Sequence, residues 1–418
     1  MKNNLIFNNE KDKKLKLSNG LTVLLKKVDY LPLVSVQIWV KVGSIYETEH
    51  INGISHFLEH LVFKGTYKYN MKELSKKIEY YGGILNAGTS KEYTVYYIDI
   101  PKEGLNDALD VLSQLVFFAT FPEIEVEKER DVIIEEIKRL EDQPINILYE
   151  NFNKLLFVKT PYRLRIIGNK ENIKSLSREQ IIEYYQKFYT PSNMLLSICG
   201  DIDYNEVEKL IEEKFGNIQL KGEFKEPELN LKEESTQSEI LEVKKHKVQH
   251  LYFICGFLGP NFGDFDIYVG DVTSIILGEG ISSRLYKILK EEKKLVYEIS
   301  SGFYTQFGPS VFYILGICEP KNFNKSIELI KSILFELKDN GPSEEELTKA
   351  KNIILTKWFT HNETVHSIAS TLAWWDMFAS LEELNSYIDK INKVSKEDVK
   401  NFIRKYANYL TISALEPN

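Results

Sequence analysis

The chain has 418 residues, of which 43% are hydrophobic and 12% aromatic, so it can bury a large core and is too long for one ordinary domain. Its formal net charge of −8 and the lack of a dense basic segment argue against a nucleic-acid-binding protein. No run of roughly 18 consecutive apolar residues occurs, so we expect no membrane span.

The N-terminal segment and the cysteines indicate a cellular compartment. Residues 1–16 are rich in Asn and Lys and contain no apolar segment typical of a secretory signal. Cys199, Cys255 and Cys318 are isolated in apolar runs, as expected for buried, reduced thiols. Both features predict a cytoplasmic protein, because that compartment keeps thiols reduced.

The first half of the chain mixes strand and helix patterns. Residues 33–42 alternate between apolar and other side chains, which predicts a β-strand. Residues 83–100 predict a pair of strands with a turn near Gly88. Residues 106–118 and 125–140 show the periodicity of amphipathic helices.

The second half repeats this pattern after a polar segment at residues 219–240, which we interpret as a linker. Ser177 and Ser395 each begin a similar helical segment as an N-cap residue, and each segment precedes an apolar run. The repetition predicts an α+β fold with two similar domains, residues 1–218 and 241–418. We expect each domain to contain a mostly antiparallel sheet with helices packed on one side.

The strongest local motif is His56-Phe57-Leu58-Glu59-His60. In a helix, His56 and His60 lie on the same face, so that both imidazoles can reach one metal ion. Glu59 lies beside them and can act on a water molecule as a general base without being a ligand. The HxxEH spacing is the signature of inverzincin peptidases, and it predicts a zinc-dependent peptidase site.

A catalytic zinc usually has three protein ligands, so a third is needed. The acidic residues of the helix predicted at residues 125–142 are the candidates: Glu127, Glu129, Glu135, Glu136 and Glu141. Glu129 and Glu136 lie two helical turns apart on one face, so one can bind the metal while the other holds a ligand histidine. For Glu127 and Glu141 a solvated helix face is the preferred interpretation.

Four stretches resemble the pitrilysin/insulinase family of metallopeptidases, in the short-chain branch that includes mitochondrial processing peptidase and its bacterial relatives. The stretches are Leu17-Ser-Asn-Gly-Leu-Thr-Val, Trp39-Val-Lys-Val-Gly-Ser, Gly53-Ile-Ser-His-Phe-Leu-Glu-His-Leu-Val-Phe-Lys-Gly-Thr and Asn86-Ala-Gly-Thr-Ser-Lys-Glu-Tyr-Thr. Glu129-Arg-Asp-Val-Ile-Ile-Glu-Glu-Ile follows at the family's distance. The resemblance covers nearly the whole chain.

This resemblance implies a role for each residue of the site. It makes His56, His60 and Glu136 the ligands of one Zn²⁺ per chain, Glu59 the general base and Glu129 a residue that supports a ligand histidine. It also assigns peptide binding to the strand residues Leu85, Asn86 and Ala87, through backbone pairing with an extended substrate.

The resemblance further implies a second domain without a metal site, which contributes an Arg and a Tyr that stabilise the reacting carbonyl. Tyr297 matches the Tyr as a catalytic residue. Lys290 stands at the Arg position as a substrate-binding residue, although Lys lacks the planar fork of Arg.

Family members of this branch form a dimeric, clamp-like chamber, either as homodimers or with a related subunit that has lost the metal. We therefore expect a zinc endopeptidase that hydrolyses short or unfolded peptides in such a dimer. The alternative is a structural or peptide-binding subunit of a larger complex without significant hydrolysis.

Overall fold

The computed structural model describes residue 7 and residues 11–218 and 224–418. Residues 219–223 of the predicted linker lie outside the described residues. Up to residue 218 the elements are β1 Lys13–Lys16, β2 Thr22–Lys27, β3 Leu33–Val40, α1 Ile54–Val62, α2 Met71–Glu79, β4 Ile84–Thr89, β5 Thr94–Pro101, α3 Leu105–Phe117, α4 Glu123–Glu141, α5 Pro144–Leu156, α6 Lys170–Ser175, α7 Arg178–Phe188, β6 Met194–Gly200 and α8 Tyr204–Ile211.

The remaining elements are β7 Ile240–His246, β8 Leu251–Asn261, α9 Asp266–Gly278, a wider helical turn at Tyr286–Glu292, β9 Val296–Tyr304, β10 Pro309–Cys318, α10 Phe323–Asn340, α11 Glu344–His361, α12 Val365–Phe378, α13 Leu381–Lys393, α14 Lys396–Tyr406 and β11 Thr411–Pro417. The chain divides into two compact units. Within the described ranges, no helix has the length and apolar character needed to cross a membrane.

The first unit takes its described residues from Met1–Ile137, Leu164–Leu229 and Phe359–Asn385. Its sheet has the order β1-β2-β6-β3-β5-β4, and every neighbouring pair is antiparallel except β2 and β6. The central strand β3 is buried at all but its first residue. Both faces are buried, so the polar side chains Ser35 and Gln37 on one face are as inaccessible as the apolar side chains on the other.

Helix α12 packs against β3 and β6 of this sheet, although it comes from the second half of the sequence. The Gln37 side-chain amide donates to the His366 carbonyl at 3.0 Å. Asp99 on β5 binds Nδ1 of His366 at 2.9 Å. These polar contacts fix α12 on the face of the sheet that bears odd-numbered residues of β3 and β5.

The second unit takes its described residues from Lys138–Arg163, Asn230–Trp358 and Ser386–Asn418. Its sheet has the order β7-β11-β8-β10-β9, in which only β7 and β11 are parallel. Phe257 and Phe312 stack with ring centroids 5.0 Å apart, and Phe402 of α14 packs against both. Helix α5, from the first half of the sequence, packs against β8 and β11.

The predicted α+β fold with two mostly antiparallel sheets and packed helices is confirmed. Ser177 and Ser395 are N-caps, and each forms a reciprocal capping box with the residue three positions later. The domain limits predicted at residues 1–218 and 241–418 stay a prediction. The compact units differ from that contiguous division because each contains a helix, α12 or α5, from the other half of the chain.

Candidate metal centre

Helix α1 presents the HxxEH residues on one side and its apolar residues on the other. The apolar side chains Phe57, Leu58 and Leu61 are fully buried, whereas His56, Glu59 and His60 stay partly accessible. The alternation follows from the helical period, because residues three and four positions apart share a face. The local sequence therefore exposes all three polar side chains on the same side of α1.

The start of α1 is fixed by a buried carboxylate, Glu47, which is 4% exposed. Glu47 accepts hydrogen bonds from the backbone N–H of Gly53 at 2.7 Å and of Ser55 at 2.9 Å. It also accepts one from the Asn52 amide at 2.8 Å. Gly53 has a φ of +100°, which favours glycine at this N-cap position. These contacts satisfy the first N–H groups of the helix and set its direction.

The side chains of His56, His60 and Glu136 converge. Glu136 Oε2 lies 3.9 Å from His56 Nε2 and 3.7 Å from His60 Nε2. The described residues contain one set of three or more His, Cys, Asp or Glu side chains whose ligand atoms all lie within 4.8 Å of one another. That set is His56, His60 and Glu136.

Zinc bound tetrahedrally at about 2.0–2.1 Å from each ligand keeps its ligand atoms roughly 3.4 Å apart. The two distances from Glu136 Oε2, 3.9 Å and 3.7 Å, exceed that value by roughly half an ångström or less. Two imidazoles and one carboxylate are also a ligand set of known catalytic zinc sites. The residues present therefore fit a zinc ion that keeps one position open.

Glu129 occupies a different place from Glu136. Its Oε1 lies 2.8 Å from Nδ1 of His60, and its Oε2 lies 2.5 Å from Nζ of Lys64. When Nδ1 of His60 donates its proton to Glu129, Nε2 is unprotonated and its lone pair points toward Glu136. Glu136 thus lies near both Nε2 atoms, whereas Glu129 contacts Nδ1 of His60; the roles of ligand and supporting residue stay a prediction.

The electrostatics of the two histidines differ. Burial, reinforced by the neighbouring His60, lowers the pKa of His56 to about 3, so this ring is neutral and able to bind a metal at neutral pH. Burial also lowers the pKa of His60, but the hydrogen bond to Glu129 and the charges of Glu59, Glu129 and Glu136 outweigh it and raise the pKa overall. A cation at this position would replace the proton that these carboxylates attract.

The two supporting carboxylates are shifted in opposite directions. Burial raises the pKa of Glu59, and a hydrogen bond from Thr89 offsets part of the shift. For Glu129, burial is outweighed by hydrogen bonds from His60 and Lys64, so its pKa is lowered. Glu129 is therefore stabilised as an anion, whereas burial makes the Glu59 carboxylate a stronger proton acceptor.

The predicted peptide-binding residues lie on β4, beside α1. This strand is at the edge of the sheet, and β5 is its ladder partner among the described residues. Leu85 and Ala87 are partly buried, whereas Asn86 is exposed. The Asn86 side-chain oxygen accepts a hydrogen bond from the Ala87 N–H at 2.8 Å.

Lys290 and Tyr297 belong to the second unit and have different partners there. The Lys290 ammonium lies 4.8 Å from the ring centroid of Tyr286, a cation–π contact. Tyr297 is 48% exposed, and its hydroxyl donates a hydrogen bond to the Glu319 carboxylate. Their predicted roles stay predictions.

Three residues near the metal centre were not predicted from the sequence: Glu47, Lys64 and Thr89. Each acts through another residue, and none shows a spacing typical of metal ligands. A Glu shortly before a helix that lacks a Ser, Thr or Asp N-cap was the one available signal for Glu47. The turn predicted near Gly88 lies at residues 90–93 instead, so Thr89 is part of β4.

The fold and the cluster define a two-sheet α+β protein with a candidate metal-dependent peptidase centre. Residues 22–170 match the family described as insulinase (peptidase family M16), and residues 175–354 match the M16 inactive domain. The chain is 31% identical to the uncharacterized zinc protease YmxG of Bacillus subtilis, over 94% of this chain and 95% of that protein. The chain therefore belongs to the M16 metallopeptidase family, and the predicted resemblance is confirmed.

Two further comparisons agree with this assignment. The chain is 28% identical to the mitochondrial-processing peptidase subunit beta of Dictyostelium discoideum, over 81% of this chain and 74% of that subunit. A protease from Helicobacter pylori has a crystal structure that superposes with a TM-score of 0.91 at 26% identity, covering 97% of this chain and 99% of that one. An M16 inactive domain from Pseudomonas fluorescens shares the fold, with a TM-score of 0.88 at 18% identity.

Proposed function

We propose that the protein is a zinc-dependent endopeptidase of the HxxEH type that binds one Zn²⁺ per chain through His56, His60 and Glu136. The observation that carries the proposal is the convergence of these three ligand atoms beside Glu59 on α1. Several relatives are named zinc proteases, which supports the choice of metal and of reaction.

Zinc at this position would supply a Lewis acid that polarises a peptide carbonyl and lowers the pKa of water. Glu59 accepts the proton of the attacking water and delivers it to the departing amine, so that no charged amide anion has to leave. Glu129 and Lys64 hold the His60 ring in the tautomer that leaves Nε2 unprotonated.

The substrate is an extended segment of a short or unfolded polypeptide. The edge strand β4 offers backbone groups for pairing, and Leu85, Asn86 and Ala87 lie on the part of this strand that precedes Thr89. Pairing through the main chain gives affinity with little sequence preference. A folded protein would have to open before it could add a strand at this edge.

The active form is a dimer in which the second unit of the partner chain completes the catalytic chamber. The partner is either a second copy of this chain or a related subunit without the metal ligands. Tyr297 is assigned to stabilise the developing oxyanion, and Lys290 to bind substrate beside it. Because Lys290 lacks a paired donor geometry, a partner subunit that carries Arg at this position would increase activity.

Hydrolysis of an internally quenched, unstructured peptide tests the proposal. The purified protein should cleave it at an internal bond, lose activity with a chelator and regain it with Zn²⁺. Glu59→Gln should bind zinc normally but hydrolyse roughly 10²–10⁴ times more slowly. Glu127→Gln is a matched control, because that carboxylate is 63% exposed and pairs with Arg130.

Two outcomes would contradict the proposed function. Normal turnover by Glu59→Gln would show that Glu59 is not the general base. Peptide binding without any zinc-dependent cleavage, in the protein alone and with its native partner, would favour a structural or peptide-binding subunit.

A further inference from the structure

We propose that Thr89 is a positioning residue that orients the carboxylate of Glu59 and thereby links the edge strand β4 to the proton-transfer step. This inference rests on the proposed function, because it assigns a task to the supports of the same site. The Thr89 hydroxyl donates a hydrogen bond to Glu59 Oε2 at 2.5 Å.

The position of Thr89 in the sheet makes this contact well defined. Thr89 is the last residue of β4 and pairs with Thr94, the first residue of β5. Side chains two residues apart on a strand share a face, so Thr89 lies on the same face as Leu85 and Ala87. These residues are all partly buried, whereas Ile84 and Asn86 on the opposite face are exposed.

When one oxygen of the Glu59 carboxylate accepts a hydrogen bond, the other oxygen is left free to accept a proton. With Oε2 accepting the Thr89 hydroxyl, the rotation of the Glu59 carboxylate is restrained and Oε1 is left to accept a proton from water. A hydrogen bond from a hydroxyl to a carboxylate is short and stronger than one between neutral groups. Because proton transfer requires close heavy-atom approach, a carboxylate that rotates freely would populate the reactive geometry less often.

The same contact connects substrate binding to the base. A peptide that pairs with the edge of β4 restrains the backbone of this strand, and Thr89 belongs to that backbone. Substrate binding at the edge of the strand would therefore also fix the donor that orients Glu59. The expected signature is a change in turnover rather than in substrate or metal affinity.

The facing residue, Thr94, provides a matched control. Its hydroxyl donates to the Val42 carbonyl at 2.9 Å and is fully buried. Thr94→Val removes a threonine hydroxyl from the same strand pair, but that hydroxyl bonds to the Val42 carbonyl and to the Tyr189 side chain and not to the base. Val also suits a strand, so both Thr→Val variants keep the local backbone preference.

The test compares kcat, KM and zinc dissociation constants for wild type, Thr89→Val, Thr89→Ser and Thr94→Val with the quenched peptide. We expect Thr89→Val to lower kcat roughly 10–100-fold, by analogy with residues that orient metal ligands, with KM and zinc affinity nearly unchanged. Thr89→Ser should recover most of the kcat because it keeps the hydroxyl, and Thr94→Val should keep the wild-type kcat. In a Glu59→Gln background, Thr89→Val should cause no further loss.

Wild-type kcat in Thr89→Val would overturn this inference and leave the proposed function intact. Equal losses of kcat in Thr89→Val and Thr89→Ser would also overturn it, since the hydroxyl would then not be the active group. A wild-type protein without zinc-dependent cleavage would overturn the proposed function and this inference together, so the two failures are distinguishable.

Discussion

The two sheets of this protein have the same design but different chemistry. The order β2-β6-β3-β5-β4 in the first unit matches β7-β11-β8-β10-β9 in the second, and in both the first two strands form the parallel pair. The His56, His60 and Glu136 cluster belongs to the first unit. A fold set by apolar patterns and helix caps is thus compatible with either the presence or the absence of a metal centre.

The long helices α4 and α11 illustrate the difference. Helix α4 carries Glu129 and Glu136, which face the histidines of α1. Residues 347–358 of α11 resemble residues 126–137 of α4, and in this alignment Lys357 takes the place of Glu136. Lys357 pairs with Glu279 at 2.9 Å. An ammonium group has no lone pair for a metal, so this one exchange is sufficient to remove a ligand.

We expect the largest effect from a substitution that removes a proposed metal ligand from the first unit. The first unit would then lack a complete ligand set, as the second unit does. Glu136→Gln should weaken zinc binding by more than about 100-fold, because it removes a direct charged donor. Glu129→Gln should weaken it by roughly 10–100-fold, because His60 keeps its place but loses an anionic hydrogen-bond partner. Competition with a chelator of known affinity measures both, and the reverse order would mean that the two roles are exchanged.

The strand β3, the helices α3, α4, α7 and α14 and the HxxEH motif could be recognised in the sequence because each has a local signal. Alternation in β3 and the HxxEH spacing in α1 depend only on neighbouring residues. The exchange of α5 and α12 between the halves was not predicted. An apolar helix face shows that the helix is buried but not which sheet covers it.

The proposed roles of Glu129 and Glu136 could not be separated by the helix pattern alone for a similar reason. Both residues lie on one helix face, and only their separate partners, Nδ1 of His60 and the two Nε2 atoms, distinguish them. Thr89 was missed because the predicted turn near Gly88 placed it in a loop. Its contact with Glu59 joins residues far apart in the sequence.

A smaller effect is expected at Lys290 in the second unit. Lys290→Arg should raise kcat/KM of the isolated homodimer, by at least about tenfold, because one well-placed oxyanion donor commonly contributes about 10²–10³ in rate. Arg keeps the charge and can still stack on Tyr286. Full activity of the wild-type homodimer, unchanged by the substitution, would show that Lys290 suffices or has no role. Co-purification from the native source should identify any metal-less partner.

An effect on stability rather than on activity is expected at a partly buried carboxyl group of the second unit. Burial raises the pKa of Asp271 to about 7, against a smaller opposite effect of the hydrogen bond from Tyr387. The folded state then binds more protons than the unfolded state between pH 4 and 7, roughly the ordinary and raised pKa values. The free energy of unfolding should therefore decrease as the pH rises through this window.

Asp271→Asn tests this assignment, because Asn is neutral and can still accept the Tyr387 hydrogen bond. At about 1.4 kcal/mol for each pKa unit, the difference amounts to at most about 4 kcal/mol. Thermal unfolding from pH 4 to 8 should show a steeper loss of stability for wild type than for the variant. Parallel pH profiles would mean that Asp271 titrates alike in the folded and unfolded protein.

The chemistry proposed for this protein depends on a zinc ion in the first unit alone. Anomalous scattering at the zinc absorption edge, from crystals of zinc-loaded protein, tests this most directly. We expect one peak per chain within about 2.0–2.2 Å of His56 Nε2, His60 Nε2 and a carboxylate oxygen of Glu136. A chain with no peak there, or with its zinc bound in the second unit, would contradict the account.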